Sequence, residues 1–110
     1  MIQIPSFRFY DDVVIAGAPS TWTFLTNHAH VLLCIHRDDE VRLRDIAVLV
    51  GITERAAQSI VSDLVEGGYL RVQRVGRRNR YTVQKRRPLR HELERSHRVG
   101  ELLDLLETDN

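Results

Sequence analysis

The chain has 110 residues, a formal net charge of +1 and a hydrophobic fraction of 43%. Its length is below the roughly 150 residues of a typical domain, so we expect one compact core with tails and no separate substrate domain. No apolar run approaches the roughly 18 residues of a membrane-spanning helix, so we expect no membrane partner. Charged residues interrupt the first twenty positions, which argues against a secretory signal, and Cys34 is the one cysteine, so we expect a cytoplasmic protein.

The charges are distributed unevenly along the chain. Residues 67–91 contain nine of the sixteen Lys and Arg residues and none of the fifteen Asp and Glu residues. The other seven basic residues are outnumbered by all fifteen acidic ones, so the rest of the chain is net acidic. A segment of this kind is typical of a surface that binds a polyanion, although a charge run can also be no more than a solvated face.

The N-terminal third of the sequence predicts an arm followed by one helix. Residues 1–21 show no sustained hydrophobic period, and we interpret them as an arm that forms a short strand or is disordered. A helix is predicted over residues 28–37, because apolar positions recur on one helical face after the N-cap residue types Thr26 and Asn27.

Two further helices are predicted with a short connection between them. After an extended piece at residues 41–43, a helix over residues 44–50 ends at Gly51, which can adopt the left-handed conformation that closes a helix. Thr53 is an N-cap residue type and begins the next helix, predicted over residues 53–66. The apolar positions of this helix recur at spacings of three and four, at Ala57, Ile60, Val61, Leu64 and Val65.

A hairpin is predicted after the third helix. Residues 69–75 and 80–83 alternate apolar and polar side chains, which indicates two strands with one buried face. The four residues between them form the predicted tip, where Gly76 and Asn79 tolerate a positive φ. We expect the arginines of this segment to point outward and to form one continuous cationic surface with the third helix.

A last helix is predicted from His91, after the break at Pro88. Its apolar side chains form a stripe of four residues: Val99, Leu102, Leu103 and Leu106. The stripe either folds back on its own domain or forms a two-fold interface. We favour the interface, because a domain of this size has little core to offer.

The central segment has the form of a helix-turn-helix followed by a basic hairpin. The turn consists of Gly51, Ile52 and Thr53, and the small residues Ala47 and Ala57 stand where two such helices would cross. The core is predicted to contain Ile46, Ile52, Ile60 and Leu64. The opposite face of the third helix is polar, with side chains of the kinds that read base edges in a major groove.

Residues 43–83 resemble the winged helix-turn-helix of MarR-like and ArsR-like bacterial transcriptional regulators. Ala47, Gly51, Ala57 and Ile60 stand at the usual alanine, glycine and hydrophobic positions of that motif. The resemblance implies a mainly helical α+β fold over residues 22–87, with a three-helix core and a two- to three-stranded β wing. Residues 88–110 would then supply a C-terminal dimerisation helix.

The resemblance also implies a function: sequence-specific binding of double-stranded DNA by a homodimer that regulates transcription. The helix over residues 53–66 would read the major groove, and the wing over residues 71–83 would contact the backbone or minor groove. The recognition-helix candidates are Thr53, Glu54, Arg55, Gln58, Ser59 and Ser62. The wing candidates are Arg74, Arg77, Arg78, Asn79 and Arg80, with further phosphate contacts from Lys85, Arg86 and Arg87. The dimer candidates are Val99, Leu102, Leu103 and Leu106.

Other function classes find less support in the sequence. We expect no enzyme, because the spacings of a catalytic triad, a phosphate-binding glycine loop and a catalytic carboxylate pair are all missing. His30 with Cys34, and His97 with its acidic neighbours, supply too few ligands for a closed zinc site, so no metal or cofactor is predicted. The sequence identifies no small-molecule effector. The alternative hypothesis for the function is a winged-helix module for protein docking or RNA binding. The role of Glu54 is also open to two interpretations: it caps its helix, or it contacts a cytosine.

Overall fold

The computed structural model describes residues 21–107 of the chain, so the predicted arm lies outside the described residues except for Thr21. The described residues form an α+β fold with four helices and one two-stranded antiparallel sheet. In chain order the elements are α1 (Asn27–Arg37), α2 (Leu43–Val50), α3 (Glu54–Glu66), β1 (Leu70–Val75), β2 (Arg78–Val83) and α4 (Val99–Leu106). None of these helices is long and apolar enough to cross a membrane.

Helices α1, α2 and α3 surround one apolar core. Val31 and Ile35 of α1, Ile46 of α2 and Ala57 of α3 are fully buried, because the apolar positions of each helix recur on a single face. The predicted core residues Ile46, Ile60 and Leu64 are confirmed as buried, whereas Ile52 is only half-buried. Ala47 and Ala57 are both buried, as expected for small residues where two helices pack closely.

The connection between α2 and α3 confirms the predicted turn. Gly51 has a φ of 84°, and its N–H donates to the Ala47 carbonyl at 2.8 Å, so the chain leaves α2 through a left-handed residue. The N–H of Ile52 donates to the same carbonyl at 3.0 Å. Thr53 then begins α3, because its Oγ1 accepts a hydrogen bond from the Ala56 N–H at 3.0 Å.

The hairpin is longer and its tip is shorter than the alternation predicts. The ladder runs without a break from the pair Leu70–Val83 to the pair Val75–Arg78. The prediction of a four-residue tip is therefore wrong: the strands are joined by Gly76 and Arg77 alone, and Gly76 has a φ of 63°. Two-residue connections match the twist of paired strands, so the ladder extends to the last residue that can pair.

A third strand is not formed in the described part of the chain. The predicted extended piece at residues 41–43 is not a strand, because Leu43 already belongs to α2. The loop before α2 does touch the sheet at one point, where the Tyr81 N–H donates to the Asp39 carbonyl at 2.9 Å. That bond holds the loop between α1 and α2 against the outer edge of β2.

The C-terminal helix begins at Val99 rather than at His91 as predicted. The backbone of residues 87–89 pairs with residues 97–99 instead: the Leu89 N–H donates to the His97 carbonyl at 3.0 Å, and the Val99 N–H donates to the Arg87 carbonyl at 2.9 Å. These bonds use backbone groups that a longer helix would need for itself. The residues between them form turns.

Helix α4 packs on its own domain. Val99 is 4% exposed and Leu103 is 1% exposed, and both belong to the same core as α1, α2 and α3. The expectation that the whole stripe faces a second chain is therefore wrong for these two residues. Leu102 and Leu106 are half-buried, and Leu105 is exposed. The small domain uses part of the stripe to complete its core. For Val99 and Leu103 this is the first of the two predicted alternatives, in which the stripe folds back on its own domain.

Gly100 allows α4 to approach the segment after the hairpin. Its N–H donates to the Lys85 carbonyl at 3.0 Å. A Cβ at position 100 would lie 2.8 Å from the Lys85 Cβ and 2.9 Å from the Lys85 carbonyl oxygen. These distances are shorter than van der Waals contact, and one of the two partners is backbone, which cannot rotate away.

We therefore expect Gly100→Ala to destabilise the fold, although alanine is the better helix former by about 1 kcal/mol. The clash with Lys85 should lower the free energy of unfolding by about 1 to 3 kcal/mol, the usual effect of overpacking. Urea denaturation measures this difference. Leu93→Ala is the control at an exposed apolar position outside α4 and should change the value by less than about 0.5 kcal/mol. A Gly100→Ala variant as stable as the wild type would contradict the close approach.

Candidate nucleic-acid interface

Helix α3 presents a polar face to solvent. Its buried face consists of Ala57, Ile60, Val61 and Leu64, which are at most 8% exposed. All the predicted recognition-helix residues are exposed: Thr53, Glu54, Arg55, Gln58, Ser59 and Ser62. The periodicity of the helix produces this division, because positions three and four apart return to the same side. The sequence prediction that these polar side chains reach solvent is confirmed.

The first turn of α3 also has a structural role. The Thr53 Oγ1 already accepts the hydrogen bond of the helix cap, and its hydroxyl proton remains available to an external acceptor. Glu54 lies in the first turn, where a carboxylate interacts favourably with the positive end of the helix dipole. This position favours the interpretation of Glu54 as a stabilising group. Arg55, Gln58 and Ser59 carry the polar chemistry of the face.

A cleft separates α3 from the hairpin. It has a volume of about 440 Å³ and is bordered by Gln58 and Ser62 on the helix side and by Asn79 on the hairpin side. Val72 and Tyr81 line it from the sheet. The cleft therefore joins predicted residues from the recognition helix and from the wing, which are about twenty positions apart in the sequence.

The register of the hairpin divides its arginines between two faces. Leu70 and Tyr81 are buried, and side chains alternate along a strand, so Arg74 and Asn79 lie on the face directed toward α3. The Arg74 Nε donates to the Gly76 carbonyl at 3.3 Å, which holds this side chain near the tip. Arg77 is at the tip and exposed. Of these three residues, Asn79 lines the cleft.

Arg78 and Arg80 lie on the other face of the sheet and contact Glu40. The Arg80 guanidinium forms an ion pair with the Glu40 carboxylate, with its Nε donating to Oε2 at 3.1 Å. The Arg78 Nη2 donates to the Glu40 carbonyl at 3.1 Å. The hydrogen bond and the negative charge of Glu40 raise the pKa of Arg80 above its ordinary value. Glu40 thus neutralises part of the positive charge of the hairpin.

This contact corrects two expectations about charge. The arginines do not form one continuous cationic surface, because the pleat directs Arg78 and Arg80 to one face of the sheet and Arg74 to the other face. The basic run is also not without a compensating acid, because the loop between α1 and α2 brings Glu40 to it. Sequence reasoning missed Glu40, since forty positions separate it from Arg80 and no local pattern links them.

The predicted phosphate contacts after the hairpin have different environments. Arg87 is exposed but contacts its own chain: its Nη2 donates to the Gly67 carbonyl at 3.0 Å, and its guanidinium lies 5.8 Å from the centre of the Tyr69 ring. This arrangement satisfies a carbonyl at the C-terminal end of α3. Lys85 and Arg86 are exposed. Of the three predicted contacts, Arg87 has a clear structural role.

A larger groove, of about 870 Å³, lies between the start of α1, the end of α3 and α4. Among the predicted site residues, only three from the α4 stripe line it: Val99, Leu102 and Leu103. None of the predicted recognition-helix or wing residues borders it. This groove is therefore separate from the candidate nucleic-acid interface.

Comparisons with protein-family models, with curated proteins and with solved structures found no match to this chain. The candidate interface therefore rests on the residues themselves. Its parts are the polar face of α3, the cleft beside it and the basic tip of the hairpin.

The Glu40–Arg80 contact makes a measurable prediction about charge. Glu40→Gln should release Arg80 and raise the salt concentration at which the protein elutes from a heparin column, because the hairpin then offers one more uncompensated cation to a polyanion. The free energy of unfolding should change little, since the pair is exposed.

Glu92→Gln is the matched control for this experiment. It makes the same change in net charge and removes an exposed Glu–Arg pair, with Arg95 at 3.9 Å, away from the hairpin. Equal elution shifts for the two variants would show that only net charge matters and would contradict a local effect on the hairpin.

Proposed function

We propose that this protein is a double-stranded DNA-binding transcriptional regulator of the winged-helix type that acts as a homodimer. Helix α3 enters the major groove, and the hairpin serves as the wing on the adjacent backbone or minor groove. The observation that carries the proposal is the shared cleft, with Gln58 and Ser62 of α3 on one side and Asn79 of the hairpin on the other. The recognition helix α3 and the hairpin can then contribute to a single DNA-binding surface.

The dimensions and the side chains of α3 support this docking. An α-helix with its side chains is about 10 to 12 Å across, and the major groove of B-form DNA is about 12 Å wide. Arg55 and Gln58 are exposed on α3 and can form paired hydrogen bonds to guanine and adenine respectively. Ser59 and Ser62 are short enough to let the helix approach the bases closely. Helix α3 therefore supplies sequence reading.

The hairpin supplies binding to the phosphate backbone. Arg77 at the tip and Arg74 on the cleft face lie nearest to a duplex placed along α3, whereas Arg78 and Arg80 are held toward Glu40. Contacts of this kind fix the orientation of the protein without reading sequence. The division of roles between α3 and the hairpin makes the proposal testable, because base contacts and phosphate contacts respond differently to salt and to DNA sequence.

The proposed homodimer places two copies of α3 in successive major grooves, about 34 Å apart, so the operator is an imperfect palindrome. Val99 and Leu103 are buried in the core of a single chain and are not part of this interface. Leu102, Leu105 and Leu106 retain exposed apolar surface on α4 that a second copy would cover.

The alternative function is a winged-helix module for protein docking or RNA binding. Val48 is 80% exposed and Leu49 is 69% exposed on α2, and adjacent exposed apolar side chains favour a protein contact. Binding to random duplex DNA at two salt concentrations separates the two functions. A DNA regulator binds at low salt and weakens steeply as the salt rises, whereas a docking module does not bind the duplex.

Arg77→Ala should weaken binding to every duplex by a similar factor, because a phosphate contact carries no sequence information. The slope of log affinity against log salt should become shallower by about 0.9, the value for one lost phosphate contact. Arg95→Ala is the control: it removes the same charge at an exposed position outside the hairpin. If Arg77→Ala kept the wild-type slope, the hairpin tip would not contact DNA.

Gln58→Ala should lower affinity for the preferred site by about 1 to 3 kcal/mol and change binding to random DNA little, because a base contact is lost only where the right base is present. Gln73→Ala is a control with the same chemistry on the outer face of the hairpin. The preferred site comes from selection in a random duplex pool. Equal losses on both DNA types would show that Gln58 contacts the backbone instead.

A further inference from the structure

Helices α1 and α4 end at the same corner of the molecule. His36 lies in the last turn of α1, Asp104 lies in the last turn of α4, and Glu107 follows that helix directly. One ligand atom from each of these three side chains lies within 4.8 Å of the other two. We call this group the α1–α4 corner. It combines an imidazole with two carboxylates, and about seventy positions separate the imidazole from each carboxylate in the chain.

The distances in the corner fit a shared cation as well as a long hydrogen bond. The His36 Nε2 lies 3.3 Å from the Glu107 Oε1, which is longer than the roughly 2.7 to 2.9 Å of a charge-assisted hydrogen bond. Two ligand atoms that are each about 2.1 Å from one tetrahedral metal are about 3.4 Å apart. The separation of this pair is therefore close to that of two ligands on one ion, and an oxygen of the exposed Asp104 carboxylate lies within 4.8 Å of both atoms.

Burial fixes the imidazole in this place. The His36 side chain is 10% exposed, although the Glu107 carboxylate beside it is more than half exposed. A nine-tenths buried ring cannot leave the corner without opening the packing between α1 and α4, whereas both carboxylates remain free to adjust. This is the arrangement of a preformed nitrogen ligand with adaptable oxygen ligands around it.

The electrostatics of the corner favour a divalent cation. Two carboxylates contribute two negative charges, and the carbonyl ends of two helices add partial negative charge, because both dipoles end here. Arg37 supplies one positive charge nearby, with its Nη2 donating to the Leu106 carbonyl at 3.2 Å. One guanidinium does not neutralise the group, and among the described residues Asp104 has no ion-pair partner.

We propose that His36, Asp104 and Glu107 bind one first-row divalent cation of the Zn²⁺ or Mn²⁺ class. Imidazole nitrogen and carboxylate oxygen are the ligands these ions accept together, and water completes the coordination. The ion joins the end of α4 to the end of α1. Because α4 inserts Val99 and Leu103 into the core, an ion at this corner stabilises the whole domain. The site does not depend on the proposed DNA-binding function.

Titration of the full chain with Co²⁺, followed by its visible absorption, and with Zn²⁺ in a calorimeter tests the site. We expect one ion per chain. Asp104→Asn and Glu107→Gln should each weaken binding at least about tenfold, and His36→Gln should abolish it. His97→Gln is the matched control, because it removes an imidazole 3.2 Å from Glu101 at a place where the described residues offer no third ligand. It should bind like the wild type.

Thermal unfolding provides a second measurement. A free ion concentration of 100 times the dissociation constant should lower the unfolding equilibrium constant of the wild type about a hundredfold, and chelator should reverse the effect. The exposed Asp104→Asn variant keeps the test valid if His36→Gln fails to fold. The proposal is overturned if the wild type shows no saturable binding, or if Asp104→Asn and Glu107→Gln bind as tightly as His97→Gln.

Discussion

The left-handed turn at Gly51 is the constraint on which the rest of the structure depends. The Ala47 carbonyl accepts hydrogen bonds from both Gly51 and Ile52, and the Thr53 hydroxyl caps the next helix, so the chain has one way to pass from α2 to α3. That path decides which side of α3 is buried. Once Ala57 is in the core, the 3.6-residue period directs Gln58 and Ser62 outward. The candidate interface is a consequence of helix closure at a glycine.

Charge compensation across the hairpin refines how that interface would work. A basic run without acids looks like a uniform cationic surface in sequence, but strand alternation sends its arginines to two faces. On the cleft side Glu66 borders the cleft, and among the described residues Arg74 and Arg77 form no ion pair. The loop before α2 brings Glu40 into an ion pair with Arg80 on the other face. An exposed ion pair of this kind adds little to stability, so its main effect is on where an anion is attracted.

The C-terminal segment shows how a small domain uses apolar surface. Val99 and Leu103 enter the core of their own chain, because three short helices and one hairpin leave a side of that core open. Gly100 makes this docking possible by letting α4 approach Lys85. The same docking brings the end of α4 to His36 and creates the corner for which we propose a cation. The docking of α4 thus buries two residues that the sequence assigns to a dimer interface. It also assembles a site that the sequence does not suggest.

The sequence by itself determined the elements that depend on local chemistry. Periodicity and residue type predicted both ends of α1, α2 and α3 to within one residue. They also predicted the closure at Gly51, the cap at Thr53 and the exposure of Arg55 and Gln58. These features depend on residues no more than about four positions apart. Only the tertiary structure decided the partner of Arg80, the burial of Leu103 and the meeting of His36 with Glu107. Those contacts join residues forty or more positions apart, and the packing of the core brings them together without leaving a local pattern in the chain.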